Sequence, residues 1–180
     1  RVATACWAKH ALVWRATRPY ETLGRLDGHD ADVNGCAFSG AGDRIATCSK
    51  DGTGLIHSAQ SFEALVTLRG HDGDVWCCDF SRDGRAVVTA SSDGTAKLWR
   101  AGTGHVLRTF RGHSDRIVCC AFSPTGDRVV TASWDFTGRV LSRVRRTQSL
   151  SPLSSRATRS ETTPRPRRAE PPPRQQCHRE

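Results

Sequence analysis

Methionine is missing from the 180 residues, and the chain opens on Arg1 in the middle of a pattern. The expectation is therefore a fragment or truncated isoform of a longer protein. No window approaches the roughly 18 consecutive apolar residues that a membrane-crossing helix needs. A charged n-region leading into an apolar stretch is also missing, so nothing points to secretion. None of the eight cysteines forms a C-x-x-C pair, which removes the commonest zinc spacing, and no metal is expected. Helical periodicity is absent throughout. What remains suffices for one domain with a core, since 37% of the residues are hydrophobic.

The cysteines that are present repeat. Cys36, Cys78 and Cys120 are spaced by 42 residues, and so are Cys77 and Cys119. A cysteine that returns to one slot reads as a small buried side chain in a reducing compartment. Charge is divided unevenly. Residues 1–142 carry 17 basic and 15 acidic side chains, whereas residues 143–180 carry ten arginines against Glu161, Glu170 and Glu180. The net charge of +9 therefore belongs mostly to the C-terminal segment.

Self-similarity extends well beyond cysteine. "GH" falls at Gly28-His29, Gly70-His71 and Gly112-His113, again 42 apart, and Phe38, Phe80 and Phe122 keep the same interval. From Arg69 to Thr95, 15 of 27 positions match Arg111 to Thr137. Within a unit, "DVWCCDFS", "RAVVTASS", "TAKLWR" and "VLRTFRG" read as four short strands. The turns between them, "SRDGR", "SDGT" and "RAGTGH", hold glycines suited to tight hairpins. Four strands per unit predict a series of small antiparallel sheets, an all-β fold.

These residues resemble the WD-repeat (WD40) β-propeller family over roughly Val2 to Leu141. The resemblance implies an incomplete arc of about three four-stranded blades. Residues 1–27 would be the end of a leading blade, 28–69 and 70–111 two repeats, 112–142 an incomplete repeat, and 143–180 a disordered Arg/Ser/Pro-rich tail. Missing sequence or another chain would supply the other blades. In that family a histidine, serine, aspartate and tryptophan bond together inside each blade, and the complete set here is His71, Ser91, Asp93 and Trp99. The partial sets are His29, Ser49 and Asp51, then His113, Ser133 and Asp135. His57 and Leu141 stand in the tryptophan slot. The alternative, a serine nucleophile with its base, has no reason to recur at fixed intervals. Buried polar groups that must find partners do, with Trp99 expected to donate to the serine oxygen. No catalytic residue is expected.

By the same resemblance, partners dock on the top face, through the third and fifth residues after each GH histidine and the residue before each aspartate. Those are Asp32, Asn34 and Lys50, then Asp74, Trp76 and Ser92, then Arg116, Val118 and Trp134, with Trp7 in the leading blade. Indoles at such a rim are strong anchors, although Trp76 and Trp134 could instead pack between blades. The expected function is a non-catalytic scaffold or adaptor for a peptide or protein partner, without cofactor or membrane contact. The alternatives are nucleic-acid or acidic-surface association through the arginine-rich tail, or a fragment without independent function. The expected location is cytoplasmic, with a nuclear share through that tail.

Overall fold

Each apolar run is too short for a stable helix and alternates with turn residues, so it extends and pairs with its neighbour. The computed structural model describes residues 1–142 and holds strands without any helix among them. The first sheet is β1 (Val2–Ala5), β2 (Ala11–Trp14) and β3 (Thr22–Leu26). The second is β4 (Val33–Phe38), β5 (Arg44–Ser49), β6 (Gly54–Ser58) and β7 (Ala64–Leu68). The third is β8 (Val75–Phe80), β9 (Ala86–Ser91), β10 (Ala96–Arg100) and β11 (Val106–Phe110). The fourth is β12 (Ile117–Phe122), β13 (Arg128–Ser133) and β14 (Gly138–Ser142). Every sheet is an antiparallel meander in chain order, and register repeats with the sequence. Phe38 faces Ile45, Phe80 faces Val87 and Phe122 faces Val129.

The expected all-β, blade-like architecture is present, with a partial leading sheet and an incomplete last one. Two four-stranded sheets are flanked by two three-stranded ones. In the first sheet, β1 takes the place that β5 and β9 hold in theirs. In the fourth, no described strand pairs with the outer edge of β14. The tail at 143–180, with its expected disorder and arginine clusters, lies outside the described residues.

The core lies between sheets rather than within them. Ala46, Cys48 and Ile56 of the second sheet pack on Val75, Cys78 and Phe80 of the third. Val88, Ala90 and Leu98 of the third pack in turn on Ile117, Cys120 and Val129 of the fourth. This explains why β9 is buried at every residue while β13 alternates. A strand covered on both faces needs a continuous apolar run, and one covered on a single face does not. Each fully buried valine or leucine contributes about 1.5–3 kcal/mol. Polar bonds fix the sheets laterally. Asn34 Nδ2 donates to Val75 O at 2.9 Å, Arg44 Nη2 to Gly84 O at 2.8 Å, and Phe122 N to Asp79 Oδ2 at 2.8 Å.

Turn glycine matters most at Gly104, whose φ of 71° lies in the left-handed region. A Cβ there would sit 2.5 Å from Thr67 O of the neighbouring sheet. Gly104→Ala should therefore lower stability by roughly 1–3 kcal/mol, from backbone strain and a forced separation of the two sheets. A urea midpoint equal to that of the parent would contradict this contact.

Candidate functional site

The GH loop ahead of each inner strand brings its histidine under the hairpin turn that joins the second and third strands of the sheet. In the third sheet His71 Nδ1 lies 2.8 Å from Asp93 Oδ2, and His71 Nε2 lies 2.7 Å from Thr89 Oγ1. Trp99 Nε1 donates to the same Thr89 oxygen at 2.7 Å. One proton arrangement satisfies all of these contacts. The indole N–H donates to the threonine oxygen, the threonine O–H to Nε2, and Nδ1–H to the aspartate. Asp93 also accepts from Thr95 N and Thr95 Oγ1 at 2.8 and 2.7 Å, and from Asp72 N at 3.2 Å.

The hydroxyl in this relay is not the serine expected from the sequence. Ser91 Oγ donates to Gly73 O at 3.1 Å and accepts from Asp93 N at 3.1 Å, without bonding His71 or Trp99. Ser49 repeats this with Ala31 O and Asp51 N, and Ser133 with Asp115 O and Asp135 N. Strand register decides the matter. Trp99 stands opposite Val87 and Lys97 opposite Thr89, so Thr89 is the diagonal neighbour of the indole on the shared face. Ser91 lies about 7 Å farther along the strand, beyond the reach of the ring N–H. Thr47, Thr89 and Thr131 thus bond the histidines, and Thr53, Thr95 and Thr137 cap the aspartates. Both sets recur every 42 residues, a signal that was present in the sequence.

The other sheets carry variants of the same device. His29 bonds Asp51 at 2.8 Å and Thr47 at 2.9 Å; His113 bonds Asp135 at 2.7 Å and Thr131 at 2.9 Å. His57, in the tryptophan slot, brings Nε2 within 3.1 Å of Thr47 Oγ1 and so replaces the indole N–H. Its Nδ1 is buried without a partner. Leu141 offers no donor at the matching position of the fourth sheet. In the first sheet, Trp14 Nε1 donates to Thr4 Oγ1 at 2.9 Å. Packing compensates for the lost indoles. The Trp99 ring lies over Gly70, whereas Leu55 covers Gly28 and the Arg139 guanidinium covers Gly112.

Three repeats of loop, hairpin and relay match the family model for the WD domain, G-beta repeat, at residues 20–57, 62–100 and 104–141. The chain belongs to the WD-repeat family. A search of curated proteins finds no match to it.

Each WD-repeat clamp holds a pair of loops at one end of its sheet. Lys50 N donates to Asp32 O at 3.0 Å, Ser92 N to Asp74 O at 2.9 Å, and Trp134 N to Arg116 O at 3.0 Å. At this end Trp7 is 86% exposed and Trp134 56% exposed. Lys50 Nζ lies 5.6 Å from the Trp7 ring centre, and the Arg116 guanidinium 4.4 Å from that of Trp134. Lys50 also pairs with Asp32 at 2.8 Å. Trp76 behaves differently: it is half-buried, and its N–H is sealed without a partner. Asn34 is committed to the neighbouring sheet through Val75 O. Asp74, Ser92 and Val118 are half-buried at the same end.

Electrostatics follow burial. Burial lowers the His71 pKa against the opposing Asp93 carboxylate, and burial followed by the proximity of His29 lowers that of His57 from 6.5 to about 4. Burial opposes ionisation of Asp93, but hydrogen bonds from Thr95 and His71 outweigh it and hold the carboxyl below its usual range.

Two outcomes follow from the clamp. Thr89→Val strands a buried imidazole nitrogen and a buried indole N–H, so it should cost roughly 2–4 kcal/mol, at least twice the effect of Ser91→Ala. Denaturant titration showing the reverse order would return the relay to serine. Folded His57 binds fewer protons than the unfolded chain between pH 6.5 and about 4. Its contribution to stability is therefore complete above pH 6.5 and is lost on acidification through that window, by roughly 3 kcal/mol. His57→Gln removes the titrating group while keeping an N–H for Thr47, so it should flatten the stability–pH curve there, and an unchanged curve would contradict the assignment.

Proposed function

We propose that the chain is a non-catalytic scaffold that holds a peptide or protein partner on the end of the sheets carrying Trp7 and Trp134. One observation carries this reading. Two indoles stand in the same turn position of different sheets, exposed by 86% and 56%, each with a cation over one ring face. Exposed indoles on a rigid base lose little entropy on binding and tend to dominate interfaces. WD-repeat proteins are interaction scaffolds generally, which agrees with this assignment. Interleaved charge supports a peptide over bare phosphate. Lys50 is balanced by Asp32, and Arg116 has Asp115 3.8 Å away.

An enzyme built on the His–Asp pair has less support. The hydroxyl against His71 belongs to fully buried Thr89, already bonded to Trp99, and Ser91 is equally sealed. Cysteine usage supports a cytoplasmic setting for the scaffold.

The test uses peptides selected from a random display library on the 180-residue chain. Trp7→Ala and Trp134→Ala should each weaken binding about tenfold or more while leaving the melting temperature unchanged. Raising salt from about 50 to 200 mM should change affinity far less than the 10³-fold or greater loss typical of phosphate-driven binding. Indifference to both tryptophans contradicts the proposal. A steep salt dependence would move the site to the arginine-rich segment.

A further inference from the structure

Cysteine sits at the seams between sheets, and one seam differs from the others. The inner strands β8 and β12 adjoin, and their thiols interlock. Cys77 Sγ lies 3.4 Å from Cys120 O, and Cys120 Sγ lies 3.6 Å from Cys77 O. Each thiol thus reaches the backbone of the residue that carries the other, across two blades that share no backbone ladder. The preceding seam cannot repeat this, because the residue matching Cys77 in β4 is Gly35. A thiol pair does exist there, Cys48 with Cys78, but both are buried. Cys77 is half-buried and Cys119, beside its partner, is exposed. This seam therefore has a partly exposed thiol, whereas both thiols of the Cys48–Cys78 pair are sealed.

We propose that Cys77 and Cys120 are a peroxide-oxidisable pair whose disulfide joins β8 to β12 and locks the third and fourth sheets together. In the first step the Cys77 thiolate attacks one oxygen of a hydroperoxide. The O–O bond breaks, sulfur takes OH as sulfenic acid, and the departing oxide takes up a proton. In the second step Cys120 sulfur attacks Cys77 sulfur. The S–S bond forms, and hydroxide leaves with the Cys120 proton as water. Two thiols lose two electrons and the peroxide gains them. Reactivity is consistent with this order. Hydrogen bonding from the Cys120 thiol, aided by Cys119, outweighs burial and the nearby Asp79 carboxylate to pull the Cys77 thiol below its ordinary value. The same bond and burial push Cys120 well up, which makes it the resolving partner. A disulfide here would close a loop of about 43 residues and stabilise the arc mainly by restricting the unfolded chain.

The experiment exposes the folded, reduced full chain to hydrogen peroxide, blocks remaining thiols, digests with trypsin and fragments the linked peptides. The first crosslink should join peptide 70–82 to peptide 117–128, with the bond on Cys77 and Cys120, at least tenfold above any other pair. In guanidinium that preference should vanish. Oxidised chain should also melt higher than reduced chain, a gain reversed by dithiothreitol. A first bond at Cys48, at Cys119 or elsewhere overturns the proposal, as does oxidation of Cys77 without a crosslink. The same preference in denaturant would also overturn it, because sequence proximity rather than the seam would then choose the pair. No substitution is needed, so folding of a variant does not enter.

Discussion

A buried imidazole bonded at both nitrogens is the constraint on which these sheets depend. A histidine placed inside a sheet stack has two polar atoms to satisfy, and each unmet one costs about 1–3 kcal/mol. Here Nδ1 binds the hairpin aspartate and Nε2 the threonine of the second strand, so a single ring ties the incoming loop to the turn and to the sheet. The aspartate is held by four donors, and the threonine relays to the indole. Removing any one member leaves others unpaired in a dry space, which makes the group cooperative rather than a sum of contacts.

The fixed loops are the ones that face outward at one end. Lys50, Ser92 and Trp134 occupy the turn residue directly beside the clamp. Their backbones are pinned to the GH loop by a repeated amide bond. At the second, third and fourth sheets this end is therefore rigid because of chemistry a few ångströms beneath it. At the fourth sheet the turn places Phe136 at a φ of 63°, fully exposed, where the second and third sheets have Gly52 and Gly94. A bulky residue in that backbone region carries strain, yet the turn still keeps its aspartate and threonine bonds. The clamp tolerates variation around it, as the exchange of Trp99 for His57 also shows.

Periodicity made the fold legible. Glycine-histidine, phenylalanine and aspartate at a constant interval fix which residues are equivalent, and the four strands of the third sheet fall where the apolar runs lie. Identity within the relay was less accessible. Thr89 and Ser91 both recur and both point to the same face of one strand, so spacing alone cannot choose between them. Only the register of β9 against β10 does so. Exposure was equally hidden. Trp76 and Trp134 were both expected at the same end, but one is half-buried with its N–H sealed and the other faces solvent. The thiol seam depends on packing between sheets, which a pattern of repeating cysteines suggests as burial and nothing more.

The most direct measurement is the tautomer of each clamp histidine, read from long-range nitrogen–proton correlations of the imidazole rings at neutral pH. The account predicts the Nδ1–H form for His29, His71 and His113, with Nε2 accepting from threonine, and the opposite Nε2–H form for His57. Nε2–H on the three GH histidines, or a rapid average of both forms, would contradict it.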